Sequence, residues 1–269
     1  MSEALARPQE LPPLCERDFV LATDLDGTFL GGSEADRQRL YRSIERLRDR
    51  IGLIFVTGRD PEFIAHLCDG TDVPWPDYAI GDVGTTIAQI YPVATDPVRP
   101  IQLLEDDIAA RWANKGDAVR RALDGHPGLT LQSTEFRYRV SYDMNPASYC
   151  ASAEDKVAGL GLDSLISDKR FFDVLPAGVS KGPSITRLIR HLGIASDRVL
   201  VAGDTLNDLS MLLTGMKGVA VGGSEAALID QVRGNSNVYL ANTSGAGGII
   251  EAIADFSLFP VSEGDPHAV

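Results

Sequence analysis

Short apolar runs, each cut off by an acidic, glycine or hydroxyl residue, constrain this chain more than any other feature. Phe19-Val20-Leu21-Ala22 leads into Asp24, and Leu53-Ile54-Phe55-Val56 into Thr57. Further along, Tyr78-Ala79-Ile80 leads into Asp82, and Val199-Leu200-Val201-Ala202 into Gly203-Asp204. Runs of this kind, with no alternating polar residue, suit strands covered on both faces of a parallel sheet. Residues 219–221 and 238–240 add two more. Helical patterns fall between them, at 34–50 (with Leu40, Ile44 and Leu47 on one stripe), 61–67, 185–192, 209–213, 225–232 and 247–254. Strand–helix alternation at both ends of the chain predicts an α/β fold: one doubly wound, Rossmann-like parallel sheet built from two separated segments.

The middle follows a different rhythm. Residues 103–123 form one long helical pattern, 129–131 and 138–142 alternate as strands, and 147–160 is helical again. Residues 165–166 and 170–175 read as a hairpin around Ser167-Asp168. This predicts a small α+β cap domain inserted at 88–172, with the core domain formed by 1–87 and 173–269. The last residues, 260–269, read as a frayed tail.

With 269 residues, 44% of them hydrophobic and 23% charged, the chain can bury a substantial core. Its formal net charge of −13 repels nucleic acid and anionic membranes, so neither is an expected partner. A phosphorylated ligand is repelled too, unless its site is locally positive or holds a metal. Cys15, Cys68 and Cys150 fit no metal-binding spacing and read as reduced, mostly buried thiols. Residues 1–17 lack the basic start and apolar core of a signal peptide, and no apolar run reaches the ~20 residues that span a bilayer. A cytoplasmic protein is the expectation.

Four clusters carry chemistry. Asp24-Leu25-Asp26-Gly27-Thr28 follows the first strand, and ligands of open α/β sheets bind outside the carboxyl ends of strands. Of two aspartates one residue apart, one can attack phosphorus while the other moves a proton. Taken alone, an Asp-Gly pair is also an ordinary turn. Thr57-Gly58-Arg59 offers a hydroxyl and a backbone N–H for phosphate oxygens, or simply a cap for the helix begun by Asp60-Pro61. Lys181, opening a helix, puts a point charge against phosphate or carboxylate. Gly203-Asp204-Thr205-Leu206-Asn207-Asp208 supplies hard oxygens suited to Mg²⁺, or an Asx-rich helix cap. Every cluster falls at a strand end or helix start, so all four can meet on one rim. Together they supply the parts of in-line phosphoryl transfer: charge neutralisation and positioning.

In this order the four segments resemble the haloacid dehalogenase superfamily of aspartate-nucleophile phosphatases, and the inserted middle looks like its type II cap. Asp82-Val83-Gly84-Thr85, Arg139-Val140-Ser141-Tyr142, Asp173-Val174-Leu175-Pro176 and the ending Ala246-Gly247-Gly248-Ile249-Ile250 are similar to the sucrose-phosphate phosphatase group. The resemblance implies Asp24 as nucleophile and Asp26 as general acid/base. It implies phosphate held by Thr57, Gly58 and Lys181, with Asn207 orienting them, and Mg²⁺ on Asp24, the Asp26 carbonyl and Asp204, with Asp208 in or near the metal's surroundings. It implies as substrate a small sugar phosphate. Gly27 and Asp60 depart from the group's usual Asn and Ser, which leaves sucrose 6-phosphate, mannosylfructose phosphate, glucosylglycerol phosphate and hexose or amino-sugar phosphates all open. In the cap, Arg137, Arg139 and Asp143 are candidate sugar ligands, and Tyr142 reads as core. A phospho-acceptor signalling domain also gathers aspartates, a Thr and a Lys at strand ends, but needs no insertion and no second acidic cluster. An inactive sugar-binding relative has no need of both Asp24 and Asp26.

Overall fold

The computed structural model describes residues 11–92 and 94–258, so the 260–269 tail and residues 1–10 lie outside the described residues. The core begins with β1 (Phe19–Thr23), α1 (Glu34–Arg46), β2 (Ile51–Val56), α2 (Glu62–Cys68) and β3 (Tyr78–Gly81). Two further strands follow, β4 (Thr86–Ile90) and β5 (Val98–Pro100). The chain then runs through α3 (Gln102–Trp112), α4 (Gly116–Ala122), β6 (Leu129–Leu131), β7 (Val140–Met144), α5 (Ser152–Gly159), β8 (Leu162–Ser167) and β9 (Phe171–Pro176). It re-enters the core with α6 (Lys181–Leu192), β10 (Val199–Gly203), α7 (Leu209–Leu212), β11 (Lys217–Gly222), α8 (Ala226–Val232), β12 (Val238–Ser244) and α9 (Ala246–Asp255).

The large sheet has the order β12-β11-β10-β1-β2-β3-β4-β5. Its first six strands are parallel, and β4 and β5 run antiparallel at one edge. β1 is central: Thr23 lies in register with Phe55 on one side and Ala202 on the other. That register puts Asp24, Thr57 and Asp204 at neighbouring strand ends. Successive residues of β1 and β2 feed opposite layers. Phe19, Leu21, Leu53 and Phe55 pack with Leu40, Tyr41 and Ile44 of α1 and Ile249 of α9. Val20, Ala22, Ile54 and Val56 pack with Ile185 and Leu188 of α6, Met211 of α7 and Leu228 of α8. Helices on both faces make the fold doubly wound.

The smaller sheet, β6-β7-β9-β8, is antiparallel throughout. One of its faces buries Val140, Tyr142, Phe172 and Val174 against Trp112, Val119, Ala153 and Val157. Tyr142 is part of this core, with its ring edge-on to Phe172.

The expected boundaries need correction. β4 and β5 extend the large sheet, so the chain leaves it after Pro100 and not at residue 88. β9 belongs wholly to the small sheet, which carries that unit to Pro176 and not to 172. Leu104 and Ile108 of α3 pack in the core layer below α6, so this helix straddles both units. The long helix expected at 103–123 breaks at Ala113 and Asn114, both with left-handed φ (51° and 54°). Helix α1 stops at Arg46, short of residue 50, and the helix expected at 147–160 is confined to Ser152–Gly159. Of the cysteines only Cys68 is buried; Cys15 is half-buried and Cys150 exposed.

Phe29 joins the 24–28 loop to this core. Its ring stacks on Tyr41 at 4.8 Å between centroids and lies 5.1 Å from Phe55. Truncating such a buried ring typically costs about 3–5 kcal/mol. Phe29→Ala is expected to lower the urea midpoint correspondingly with an unchanged m-value; a midpoint within error of the parent would show that this cluster does not anchor the loop.

Candidate active site

The chain turns sharply after Asp24. Gly27 has φ +81°, and a Cβ there would lie 2.4 Å from an Asp204 carboxylate oxygen, so glycine suits both the conformation and the space with Asp204 as placed. The turn brings Thr28 Oγ1 to donate to Asp204 Oδ1 at 2.7 Å. The first and last acidic clusters are thereby locked together across 176 residues of sequence.

Lys181 occupies the centre. Its side chain is fully buried, and its ammonium donates to Asp24 Oδ1 at 2.6 Å, Asp208 Oδ1 at 2.6 Å and Asn207 Oδ1 at 2.8 Å. Three donors meet three acceptors, so this buried cation is fully satisfied. Burial alone pulls an amine down, but Asp208 and Asp24 outweigh it and hold the ammonium above its ordinary range. Asp208 is fully buried too, and its other oxygen accepts from the Asp204 and Thr205 N–H groups. With both oxygens engaged, Asp208 positions Lys181 and the 204–205 backbone. Its two oxygens are both engaged, and it lies in one acidic group with Asp24 and Asp204.

Asp24 and Asp204 are less well compensated. Burial, opposed by Lys181 and reinforced by Asp208, pushes Asp24 up to about 7. Burial likewise pushes Asp204 up to about 6. Asp24, Asp204 and Asp208 each bring an oxygen within 4.8 Å of the others. Such crowding of hard oxygens, with the Asp24 and Asp204 carboxylates strained toward protonation, fits a small divalent cation held between Asp24 and Asp204.

On the other flank, Thr57 is buried and its Oγ1 accepts from the Arg59 N–H at 3.1 Å. The Gly58 N–H has no hydrogen-bond partner among the described residues. This loop is braced from behind by Asp82 and Val83, whose backbone N–H groups donate to Arg59 O and Thr57 O. Both adopt left-handed φ, 53° and 60°, which is costly for a β-branched valine and marks a constrained loop. Gly84 follows with φ +105°, and a Cβ there would meet the Ser180 carbonyl carbon at 2.5 Å. The loop therefore wedges between the Thr57-Gly58-Arg59 turn and the start of α6.

The Asp26 side chain points away from this centre. Arg59 grips it with two bonds, at 2.6 and 2.7 Å, on an exposed surface, and the Arg59 guanidinium stacks over Phe63. The two aspartates expected to face one site are therefore split between a buried lysine and an exposed arginine. Among the cap candidates, Arg139 is buried at the seam, near the Gly58 carbonyl (3.4 Å), Asp82 (3.7 Å) and Asp173 (3.6 Å). Arg137 pairs with Glu105 and donates to Thr86 Oγ1 at 3.2 Å. Asp143 stays exposed, bonded to Gln132, and is brought to none of these groups. A cleft of about 560 Å³ opens between the units, lined by Asp60, His66, Asp82, Thr86, Phe136 and Arg137. Sequence reasoning assigned no role to Arg59, Asp82, Glu105 or Asp173. Only the Thr-Gly-Arg triplet signalled the first of these.

Residues 17–257 match the family model described as sucrose-6F-phosphate phosphohydrolase. The chain belongs to that family. A relative in Pseudomonas anguilliseptica, a glucosylglycerol-phosphate synthase, is 42% identical over 239 residues, covering 88% of this chain but 31% of its own length. The mannosylfructose-phosphate phosphatase of Agrobacterium fabrum is 28% identical, with 90% of this chain and 98% of that protein aligned. Among solved structures, the sucrose-phosphatase of Synechocystis in complex with sucrose and phosphate superposes with a TM-score of 0.79 at 26% identity. It covers 90% of this chain and 98% of its own. This phosphohydrolase-family chain thus spans nearly all of two of these relatives and about a third of the other. Its core and inserted unit are those of the haloacid dehalogenase type.

Two outcomes follow from the lysine-centred cluster. In Lys181→Met two buried carboxylates lose their cation, a change typically worth about 3–5 kcal/mol, and chemical denaturation should show a loss of that size. Adding Asp24→Asn and Asp208→Asn should restore part of it; no restoration would mean that charge is not the cause. The second outcome concerns pH. The folded chain keeps the Asp24 proton up to about 7, whereas an unfolded Asp releases it near 3.8. Stability of the metal-free protein should therefore fall as pH rises through that window, since the unfolded state binds fewer protons there. Asp24→Asn should flatten the decline in urea midpoints measured in chelator from pH 4 to 8.

Proposed function

We propose that this family member is a Mg²⁺-dependent phosphatase that removes phosphate from a glycosyl phosphate through a phospho-aspartyl intermediate on Asp24. The observation that carries the reading is the buried Lys181 ammonium bridging Asp24, Asn207 and Asp208, one strand end from Asp204 and from Thr57-Gly58. At an effective dielectric of ~20, unit charges at ~4 Å interact by about 4 kcal/mol. A phosphate dianion approaching Asp24 therefore needs Lys181 and a divalent cation beside it. The metal, held by Asp24 and Asp204 with the Asp26 carbonyl, supplies charge neutralisation at the transferring phosphoryl group.

An oxygen of Asp24 attacks phosphorus, and the bond from phosphorus to the sugar oxygen breaks. The free Gly58 N–H, Thr57 and Lys181 hold the equatorial oxygens, and Asn207 orients Lys181. Asp26, released from Arg59, delivers its proton to the departing sugar oxygen. It then takes a proton from water, which attacks the aspartyl phosphate, frees orthophosphate and restores Asp24. The pairing with Arg59 supports a role for Asp26 that depends on side-chain rotation.

For the substrate, the relatives' printed activities support a disaccharide-like or glycosyl-polyol phosphate. Glucosylglycerol phosphate is the first choice, because a relative of 42% identity is named for making it. Arg139 and Arg137, at the seam over Gly58 and Thr86, are the side chains we assign to the sugar end, and the cap's position supports that choice. The test is a phosphate-release screen over glucosylglycerol phosphate, mannosylfructose phosphate, sucrose 6-phosphate and hexose phosphates, with Mg²⁺ and with EDTA. Turnover is expected only with metal. Asp26→Asn should lower the rate by ~10²–10⁴. Full turnover in chelator, or in Asp24→Asn, would reject the proposal.

A further inference from the structure

Away from the rim, where α3, α6 and α7 meet, lies a second concavity of about 440 Å³. Arg111, Arg187 and Arg190 line it, together with the hydroxyl-bearing Thr186, Ser210 and Thr214. No carboxylate lines it, in a chain whose net charge is −13. The charge on this wall is poorly balanced. Asp107 Oδ2 serves two of the arginines at once, Arg111 at 2.9 Å and Arg187 at 3.2 Å. Arg190 has no ion pair among the described residues. Arg187 is mostly buried, and its Nη1 has no hydrogen-bond partner. Burial, then the neighbouring Arg111 and Arg190 charges, hold its pKa below the ordinary value.

The wall is also well fixed. Arg111 donates to the Ala177 carbonyl at 3.2 Å, and Arg187 to the Gly178 carbonyl at 2.9 Å. Both guanidiniums are thus tied to the short segment that returns from β9 to α6. Ser210 Oγ accepts from the Gly182 N–H at 3.0 Å and from Ser180 Oγ at 3.3 Å. The hollow therefore shares its floor with the backbone flanking Lys181.

We propose that this hollow is a second, non-catalytic site for a phosphoryl dianion, with Arg187 and Arg190 as its principal ligands and Arg111 closing it from the α3 side. Guanidinium forks match tetrahedral oxyanions with paired, charge-assisted N–H bonds. An anion there relieves the repulsion among three cations. Free orthophosphate and the phosphate group of a sugar phosphate share this chemistry.

Calorimetric titration tests the site. Metal-free Asp24→Asn protein in EDTA is titrated with inorganic phosphate and, separately, with glucose 6-phosphate. A binding event is expected that Arg190→Gln weakens at least tenfold and that Thr57→Val, on the catalytic side, leaves intact. Arg190 is exposed, so its replacement spares the fold; Arg187→Gln should act in the same direction. Weakening with both ligands identifies a site for any phosphoryl group, and weakening with phosphate alone identifies one for orthophosphate. Binding that is absent altogether, or that responds to Thr57→Val but not to Arg190→Gln, would overturn the inference. In the Asp24-containing chain, Mg²⁺-dependent turnover at low phosphate should be unchanged by Arg190→Gln, which separates the outcome from the catalytic proposal.

Discussion

A single buried ammonium organises this molecule. Lys181 has no exposed surface, yet its charge is kept by three oxygens, one from the residue that ends β1 and two from the turn that follows β10. A lone cation in such a place would lose its proton. Here the carboxylates that prevent this are themselves buried, and each would be untenable without the lysine. The mutual dependence explains why residues 24, 181, 207 and 208 come together although they are distant in sequence. It also explains why Asp208 spends its second oxygen on backbone N–H groups: a buried carboxylate facing only one cation would remain underbonded.

The same constraint divides labour among the acids. Asp208 is saturated, Asp204 is partly satisfied by Thr28, and Asp24 is compensated on one side only. Asp26 stands outside this economy of charge, on the surface and paired with an arginine. Two aspartates one residue apart thus acquire different environments, one against the buried Lys181 ammonium and the other against the exposed Arg59 guanidinium.

Much of this was legible in the sequence, for a physical reason. The parallel strands other than the edge strand β12 are covered on both faces, so each appears as an apolar run, and the residue that ends the run is the one that reaches the rim. Phe19 to Asp24 and Leu53 to Thr57 are readable in this way without any tertiary information. β4 and β5 were not. Their antiparallel, edge position permits Thr86, Gln89 and Arg99, which blur the pattern, and that concealment displaced the expected start of the insertion. The break at Ala113-Asn114 was not read because Ala113 gives no signal of left-handed φ and a single Asn inside a helical pattern is a weak one; the break lets Trp112 and Val119 meet one small core. The direction of Asp26 depends on Arg59, 33 residues away, and no local periodicity encodes such a pairing. Arg139 illustrates the same limit. Strand alternation put it on the polar face, but only the approach of the two units buries it.

The inserted unit is joined to the sheet by very little chain. Ile101 alone separates β5 from α3, and residues 177–180 separate β9 from Lys181. At most ~3.6 Å per residue, the second tether spans less than about 15 Å even when taut. Were the inserted unit to move as a lid, two tethers this short would confine it to a rotation about them. Lys181 adjoins one of them, so it lies near the fulcrum, where a rotation of the lid displaces atoms least. Such a rotation would leave the ammonium that orders the acids beneath in place.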